Sequence, residues 1–251
     1  APVRLIETHI SWVLLADALA YKFKKPVRLP FLDFSTLAAR RRCCDEELRL
    51  NRRLAPELYL DVLEVRAGAT GVVFGGDGDL LDVCVRMRRF PDGALWSEHA
   101  AAGTLQAPQI DAMARTLTAF HDRAAVAPVG SPHGLAEAHA HIQQRLVEGL
   151  DRWQASGAAR ASRVDWPALR AWLSGQLVVL APLWQARQQR GRVRECHGDL
   201  HLANVIQLGE QATAFDGIEF DDALRWIDVL DDLAFLAMDL MAHGLQPLAW
   251  R

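Results

Sequence analysis

The sequence predicts an α+β fold in which a strand-rich part is followed by a mainly helical part. Two observations lead to this expectation. Alternation of apolar and polar residues, which is typical of half-buried strands, covers residues 3–27 and returns in residues 57–65 and 81–90. After Pro91 the composition shifts toward alanine and leucine, and apolar residues recur at helical spacing.

The first part is expected to form a small sheet that carries one long helix. Residues 3–27 predict two antiparallel strands with a turn at "ADA", and residues 57–65, 71–76 and 81–90 predict further strands separated by glycine-rich turns. Between them, residues 35–54 predict a helix with Asp33 or Ser35 as N-cap and Pro56 beyond its end.

The second part predicts helices over residues 109–125, 134–153 and 165–180, the last with Asp165 as N-cap. A short hairpin over "NVIQLG" and "QATAFDGIEF" and a helix over residues 225–242 follow. The chain opens without methionine and stops just after an apolar helical run. We therefore expect it to be part of a longer protein, truncated at both ends.

Composition excludes several function classes. With 251 residues, 51% of them hydrophobic, the chain can bury a sizeable core. A net charge of −3 and a pI near 6.3 provide no electrostatic footprint for nucleic acid or for an anionic membrane surface, so neither is an expected partner. The four cysteines include no C-x-x-C pair, which favours a reduced, cytoplasmic protein.

The segment "ECHGDLHLANVI" allows two chemical interpretations. His197 and His201 are four residues apart, as zinc-binding histidines on a helix are. A metalloprotease helix would carry glutamate as general base after the first histidine, and here Gly198 occupies that place. A histidine-ligated metal hydrolase is therefore the weaker alternative, and bound zinc in the purified protein would revive it.

The second interpretation uses the whole spacing, His197-x-Asp199-x-x-x-x-Asn204 followed by Asp216-Gly217. In phosphoryl transfer an aspartate accepts the proton of the acceptor hydroxyl, while an asparagine and a second aspartate hold magnesium on the nucleotide phosphates. Hard oxygen ligands suit magnesium. This pattern predicts Asp199 as the catalytic base and Asn204 and Asp216 as metal ligands.

Phosphoryl transfer also demands a strand lysine held by a glutamate on a neighbouring helix. In "LAYKFKKPV", Lys22 and Lys24 share one strand face by the period of two. Ala20, two residues before Lys22, is small enough for an adenine to pack against, whereas the residue two before Lys24 is charged. We therefore select Lys22, with Lys24 as the second choice.

The helix partner is expected to be Glu47. Asp45 and Glu46 both have arginines one turn away and look like solvated ion-pair positions. The neighbours of Glu47 at that spacing are Cys43, Cys44, Leu50 and Asn51. A carboxylate on this apolar face needs a basic partner from elsewhere in the chain, and Lys22 is the candidate, with a partly exposed helix acid as the alternative.

Together these residues resemble a known family. "HGDLHLAN", "FDGIEF" and "DVLDDLAFL" are similar to motifs of the aminoglycoside phosphotransferase family of protein-kinase-like small-molecule kinases. "ETHISWVLL", "AYKFKKPV", "FLDFSTL" and "EELRLNRRLAPELYL" resemble an uncharacterised bacterial branch of that family, often fused to a carboxy-terminal P-loop ATPase domain. The resemblance implies a protein-kinase-like two-lobe fold, with a β-rich nucleotide-binding lobe in residues 1–90 and a larger helical lobe in residues 91–251.

The resemblance also implies roles for individual residues. Lys22 and Glu47 would position the nucleotide phosphates, and His197 would brace the catalytic loop that carries Asp199. Asp232 would support the same loop from a later helix. The strand end around "RMRRF", including Val85 and Met87, would supply the backbone that meets adenine.

The expected function is an ATP- or GTP- and magnesium-dependent phosphotransferase acting on a hydroxyl of a small molecule. The chain has no G-x-G-x-x-G loop, so the turn "ETHIS" would have to cover the nucleotide, and no P-loop motif, so any ATPase domain lies outside it. The alternative is a catalytically silent nucleotide-binding module that regulates a fused P-loop ATPase domain.

The acidic residues after Asp216 allow two interpretations. Glu219, Asp221 and Asp222 could attract a cationic substrate such as an aminosugar, or they could form a solvated acidic turn. No A-P-E sequence or hydroxyl-rich segment follows Asp216, which disfavours a protein kinase switched by phosphorylation.

Overall fold

The computed structural model describes residues 3–128, 130–134, 136–156 and 164–251. It confirms the mixed α+β class. The chain divides into two compact units, one formed by the chain up to Arg123 with His197–Arg225 and Leu230–Arg251, the other by Ala124–Cys196 with Trp226–Val229. The expected boundary near residue 90 stays a prediction.

The strands and helices alternate in blocks along the chain. The strands are β1 Arg4–Glu7, β2 Ser11–Ala16, β3 Leu19–Lys24, β4 Arg28–Leu29, β5 Leu32–Asp33, β6 Tyr59–Gly68, β7 Gly71–Phe74, β8 Leu80–Arg88, β9 Val193–Glu195, β10 Val205–Leu208, β11 Gln211–Ala214 and β12 Trp226–Asp228. The helices are α1 Leu37–Asn51, α2 Trp96–Ala101, α3 Ala107–Arg123, α4 Ala136–Ala155, α5 Trp166–Gln189, α6 Asp222–Arg225, α7 Val229–Ala242 and α8 Gln246–Trp250.

The first unit contains an antiparallel six-stranded sheet in the order β1-β2-β3-β8-β6-β7. The prediction of two strands in residues 3–27 was wrong, because three are present. The "ADA" turn does join β2 to β3, with Asp17 at φ 52°. A second turn at Thr8 separates β1 from β2 and is closed by a hydrogen bond from the Thr8 N–H to the Ser11 carbonyl at 2.9 Å.

Helix α1 is shorter than its pattern suggested. Its N-cap is Thr36, whose hydroxyl accepts a hydrogen bond from the Ala39 N–H at 3.1 Å. Neither Asp33 nor Ser35 caps the helix, because the Asp33 carboxylate instead accepts the Ser35 N–H at 2.9 Å in a local turn. The helix packs on strands β8 and β6.

Two apolar clusters stabilise the first unit. The cluster between α1 and the sheet contains Ala20, Cys44, Ala55, Leu58, Tyr59, Val83, Val85, Met87, Ala94 and Ile206. The cluster among α2, α3, α7 and the β10–β11 hairpin contains Trp96, Leu105, Ile110, Met113, Leu117, Leu200, Leu202, Val205, Ala212, Ala214, Leu236 and Leu240. Since Ile206 and Val205 are adjacent on β10, the hairpin contributes to both.

The second unit consists of α4, α5 and a two-stranded sheet of β9 with β12. The prediction of Asp165 as N-cap of α5 is confirmed, since its carboxylate accepts the Ala168 N–H at 3.1 Å. The prediction that a helix starts at residue 225 was wrong. Trp226–Asp228 form β12 instead, where Asp228 receives two hydrogen bonds from Arg187 at 2.5 and 2.7 Å.

Among the helices of the described ranges, none combines the length and the apolar character needed to cross a membrane.

Candidate functional site

The site lies wholly within the first unit and starts from strand β3. The alternation of this strand puts Ala20, Lys22 and Lys24 on its buried face. The Lys22 ammonium donates to Glu47 Oε1 at 2.9 Å, so the ion pair expected from the helix faces is present. Lys22 also contacts the carboxylate of Asp216, which joins the lysine to the segment that follows β11.

Glu47 is shared between two lysines. Its side chain is fully buried, and its second oxygen, Oε2, accepts a hydrogen bond from Lys24 at 2.7 Å. Burial alone would raise the pKa of the Glu47 carboxyl, but Lys22 and Lys24 outweigh it and lower that pKa to about 2. Glu47 is therefore ionised at neutral pH and holds both ammonium groups.

The β10–β11 hairpin brings Asn204 and Asp216 to one end. The ladder pairs Val205 with Ala214, and the Phe215 N–H just beyond it donates to the Asn204 carbonyl at 3.0 Å. Asp216 follows directly, with φ 63° in the left-handed region that few non-glycine residues adopt. Such a conformation persists only where neighbours hold it, and it is concentrated at functional sites.

Several groups hold the Asp216 segment in place. The Asp216 N–H donates to the Tyr59 hydroxyl at 3.1 Å, and the Gly217 N–H donates to Asn51 Oδ1 at 2.8 Å. The amide nitrogen of Asn51 in turn donates to the Glu47 carbonyl at 2.9 Å. The segment is thereby tied by hydrogen bonds to strand β6 and to helix α1.

Asp199 and Asn204, predicted as base and metal ligand, are hydrogen-bonded to each other. The Asn204 amide nitrogen donates to Asp199 Oδ2 at 3.0 Å and to the Asp199 carbonyl at 2.9 Å. Both contacts use the nitrogen, which leaves the amide oxygen as a potential ligand. The Asp199 side chain is 38% exposed and can therefore meet a substrate.

His201 contributes hydrogen bonds to the same loop. Its Nδ1 accepts the Ala203 N–H at 3.2 Å, which caps the short helical turn Leu202–Asn204. Its Nε2 lies 3.4 Å from Asp199 Oδ2. These contacts assign His201 to organising the loop, and its two nitrogens have separate neighbours within it.

His197 braces the loop in one neutral tautomer. Its Nε2–H donates to the Phe215 carbonyl at 2.9 Å, because a carbonyl can only accept, and its Nδ1 therefore accepts the Asp199 N–H at 3.2 Å. Burial lowers the pKa of His197, although Asp232 opposes that effect. The ring connects the backbone of Asp199 to the residue before Asp216.

Asp232 on α7 supports this loop, and the prediction of that role is confirmed by its contacts. Its Oδ2 accepts the His197 N–H and its Oδ1 accepts the Gly198 N–H, both at 2.9 Å. His121 on α3 lies with Nε2 3.0 Å from Oδ2. Burial would raise the pKa of Asp232, but these hydrogen bonds, with His121 the strongest, lower it below its ordinary value.

Gly198 is required by its surroundings. It has φ 85°, and a Cβ at this position would lie 2.5 Å from the Leu224 carbonyl oxygen. A side chain would therefore force the backbone of residues 224 and 225 to move. The glycine that argued against a zinc helix is explained here by a backbone approach.

The expectation that the backbone of Val85 and Met87 meets adenine is not supported. Strand β8 lies inside the sheet, between β3 and β6, so its backbone groups belong to the two ladders. Val85 and Met87 pair with Lys22 and Ala20 and therefore share their face. Their side chains lie on the buried face beside Lys22, where Val85 is fully buried and Met87 is 6% exposed.

The acidic turn also differs from both interpretations at Glu219. This residue is buried and its carboxylate contacts Lys24, so it neither meets solvent nor attracts a substrate. Asp221 accepts the Ala223 N–H at 2.9 Å, and Asp222 contacts Arg225. Asp221 and Asp222 remain nearer the surface.

In the turn that was expected to cover the nucleotide, the Thr8 hydroxyl makes a hydrogen bond within the turn itself. Thr8 Oγ1 accepts the Ser11 N–H at 2.9 Å, and Ser11 is buried. His9 remains exposed at the tip. The turn is therefore a hairpin connection closed by hydrogen bonds of Thr8 with Ser11, and it contains no glycine.

Sequence patterns missed several residues of the site. The structure adds Asn51, Tyr59 and His121 to the predicted set, and it pairs Glu219 with Lys24, a contact that was not expected for either residue. Asn51 had a signal, because it lies one turn from Glu47 on the same helix face. The other contacts join elements far apart in the chain, and local periodicity contains no information about them.

We expect Asp232→Asn to lower the free energy of unfolding by about 1–3 kcal/mol, because an amide nitrogen cannot accept a hydrogen bond and one buried donor loses its partner. Urea denaturation followed by tryptophan fluorescence measures this difference. The matched control is Asp45→Asn, the same chemical change at an exposed residue, for which we expect a change within about 0.5 kcal/mol. Equal effects of the two substitutions would contradict the assignment.

Comparison with known proteins gives relatives but no function. No protein-family model matches the chain. Uncharacterised proteins of Mycobacterium tuberculosis strain H37Rv and of Mycobacterium bovis are each 31% identical to it over 246 residues. The match covers 96% of this chain and 46% of each relative, so the chain spans about half the length of the curated relatives that it matches.

Proposed function

We propose that this chain is a phosphotransferase with a protein-kinase-like two-lobe fold, similar to the aminoglycoside phosphotransferases. In this proposal it transfers the γ-phosphoryl group of ATP or GTP, with magnesium, to a hydroxyl of a small molecule. The observation that carries the proposal is the position of Lys22, which contacts both Glu47 and Asp216. A phosphate-binding lysine of this kind requires such a glutamate and lies beside the metal-binding aspartate.

The oxygen donors fit magnesium. Asp216 is 37% exposed at its side chain and uses only Oδ1 for Lys22, while Asn204 directs its nitrogen toward Asp199 and leaves its oxygen available. Carboxylate and amide oxygens are the ligands that magnesium accepts. When bound, the metal would neutralise charge that develops on the transferred phosphoryl group.

The residues of the chain would then act as follows. Asp199 accepts the proton of the acceptor hydroxyl, and the freed oxygen forms a bond to the γ-phosphorus. The bond from that phosphorus to the bridging oxygen breaks, and the nucleoside diphosphate leaves with the electron pair. Asn204 holds the Asp199 carboxylate at 3.0 Å, and the neutral His197 holds its backbone.

Nucleotide binding would use the face of the sheet that contains Lys22. Lys22 would contact the α- and β-phosphates, as the corresponding lysine of protein kinases does. Ala20 and Met87, whose residues are each 6% exposed, share this face and would give an apolar contact for the base, whereas Val85 is fully buried. Residues 1–90 would form the nucleotide-binding lobe and residues 91–251 the helical lobe.

The whole protein would contain more than this domain. The curated relatives are about twice as long as the matching region. We propose that the phosphotransferase domain is fused to, or associates with, a P-loop ATPase domain in the cytoplasm. The resemblance of the sequence to a branch with such fusions supports this part of the proposal.

The test is magnesium-dependent turnover of ATP and of GTP by the purified protein, with aminoglycosides, simple sugars and amino alcohols as acceptors. Release of the nucleoside diphosphate is measured with and without each acceptor, and EDTA serves as the metal-free control. We expect turnover that depends on both the acceptor and magnesium. Nucleotide binding without turnover on any acceptor would favour the regulatory module, for which the turn without glycine at Thr8–Ser11 is the supporting observation.

A further inference from the structure

A second buried ion pair lies beside the first. The Lys24 ammonium contacts Glu47 Oε2 at 2.7 Å and also contacts the carboxylate of Glu219. The Lys24 and Glu219 side chains are 1% and 5% exposed, so a substrate or nucleotide has almost no access to them. Burial alone would lower the pKa of Lys24, but Glu219 and Glu47 outweigh it and keep that pKa above its ordinary value.

The pair connects the three elements that build the phosphate-binding end of the site. Lys24 belongs to β3 and Glu47 to α1, while Glu219 lies three residues after Asp216. The last side-chain torsion angle of a glutamate, χ3, has a broad distribution of preferred values. A glutamate carboxylate that is held at only one of its oxygens can therefore rotate about χ3. Because Lys24 donates a hydrogen bond to Oε2 of Glu47, the other oxygen of Glu47, Oε1, stays directed at Lys22.

Stability alone does not explain why this position is ionic. A buried ion pair is weak evidence for stability, since apolar residues of similar volume often replace one without loss. The surroundings would accept apolar residues, because the Lys24 ammonium lies 5.1 Å from the centre of the Phe34 ring and Phe34 packs edge-on against Phe220. A hydrogen-bonded ion pair fixes the orientation of its two side chains, whereas apolar contacts are not directional.

We propose that Lys24 and Glu219 are positioning residues that hold Glu47 and the Asp216 segment in register with Lys22. This inference rests on the proposed phosphotransferase function, because Asp216 is the metal ligand of that reaction. Lys24 acts on Lys22 through Glu47, and Glu219 acts on Asp216 through three residues of backbone. Neither residue touches substrate, nucleotide or metal.

The experiment compares the double variant Lys24→Met/Glu219→Met with the wild type and with each single variant. The double variant leaves neither charge unpaired, so its free energy of unfolding should return toward that of the wild type, above that of either single variant. The half-saturating magnesium concentration in turnover should nevertheless stay raised, on the order of 10- to 100-fold, the effect typical of residues that orient a metal ligand.

A second measurement does not depend on turnover. Amide hydrogen exchange followed by mass spectrometry reports on residues 215–219 in the folded protein. In the double variant we expect exchange there to be about tenfold faster, as loss of one hydrogen bond to a charged group would produce. The matched control is Asp45→Asn, at an exposed carboxylate of the same helix, which should leave both exchange and magnesium dependence unchanged.

The outcomes are distinct. If the double variant has the exchange rate and the magnesium dependence of the wild type, the proposal is overturned. Lys24 and Glu219 would then only fill space in the core. If the double variant does not fold, the same two measurements are made on Glu219→Gln, which keeps the shape of the side chain and removes its charge. Wild-type exchange and wild-type magnesium dependence in that variant would likewise overturn the proposal. If the wild type shows no turnover but exchange is faster in the double variant, the positioning role is supported. That result would count only against the proposed phosphotransferase function.

Discussion

Asp199→Asn is expected to reduce acceptor-dependent turnover by roughly 10²- to 10⁴-fold, the range that a positioned general base contributes. Asparagine keeps the shape of the side chain and can still accept the hydrogen bond from Asn204, but it cannot take the proton of the acceptor hydroxyl. The fold should remain intact, because this side chain is 38% exposed. Nucleoside-diphosphate release at saturating acceptor measures the change in kcat, and thermal unfolding verifies the fold.

Asp221→Asn serves as the matched control for this prediction. It makes the same chemical change five residues after Asp216, the proposed metal ligand, at a carboxylate that accepts the local backbone hydrogen bond from Ala223. We expect kcat to be unchanged. A raised KM for cationic acceptors alone would show that Asp221 attracts such substrates. Full activity of Asp199→Asn would show that another group is the base.

Glu47→Leu is expected to lower the free energy of unfolding by about 3–5 kcal/mol, because removing one member of a buried ion pair leaves charge without its partner. Two ammonium groups lose a contact at once, those of Lys22 and Lys24. Turnover should fall as well, since Lys22 loses the group that directs it. Urea denaturation at pH 7 measures the stability difference.

Glu47→Leu should also make the free energy of unfolding depend less on pH in the acidic range. The pKa of Glu47 is about 2 in the folded protein, below the value of about 4.3 for an unperturbed glutamate. A lowered pKa stabilises the folded state fully above the unfolded value, and this contribution is lost as the pH falls toward 2. The wild type should therefore lose its advantage over Glu47→Leu between about pH 4.5 and pH 2.

Asp45→Leu is the control on the same helix. Asp45 is exposed two residues before Glu47, so its replacement should change stability by no more than about 0.5 kcal/mol. The difference between the two variants isolates the buried carboxylate from any effect of leucine on the helix. If Glu47→Leu changed the free energy of unfolding as little as Asp45→Leu, the conclusion that Glu47 stabilises the fold through Lys22 and Lys24 would be contradicted.

The residue pair Lys22–Glu47 was predictable because local rules were sufficient for each member. The period of two placed Lys22 on a strand face with Ala20, and the neighbour rule for helices left Glu47 as the acid without an arginine beside it. Electrostatics then required that a carboxylate on an apolar face find a cation. The structure joins them at 2.9 Å.

Other parts of the site were not predictable in this way. Glu219 follows a hairpin and has no periodic neighbours, so its sequence position suggested a solvated turn, whereas its partner Lys24 lies 195 residues earlier. For Trp226–Asp228 the sequence predicts a helix, because these residues fit both periods, and their pairing with Val193–Glu195 makes them a strand instead. Contacts between distant segments are set by the assembled fold.

Gly198 bears on how the proposed phosphotransferase could be controlled. In the H-R-D loop of protein kinases an arginine occupies this position, and arginines of such enzymes pair with a phosphate that is added to order the activation segment. Here a Cβ would lie 2.5 Å from the Leu224 carbonyl oxygen, so the chain has no room for that guanidinium. In the proposed phosphotransferase, Gly198 would therefore give this loop no cation with which an added phosphate could pair.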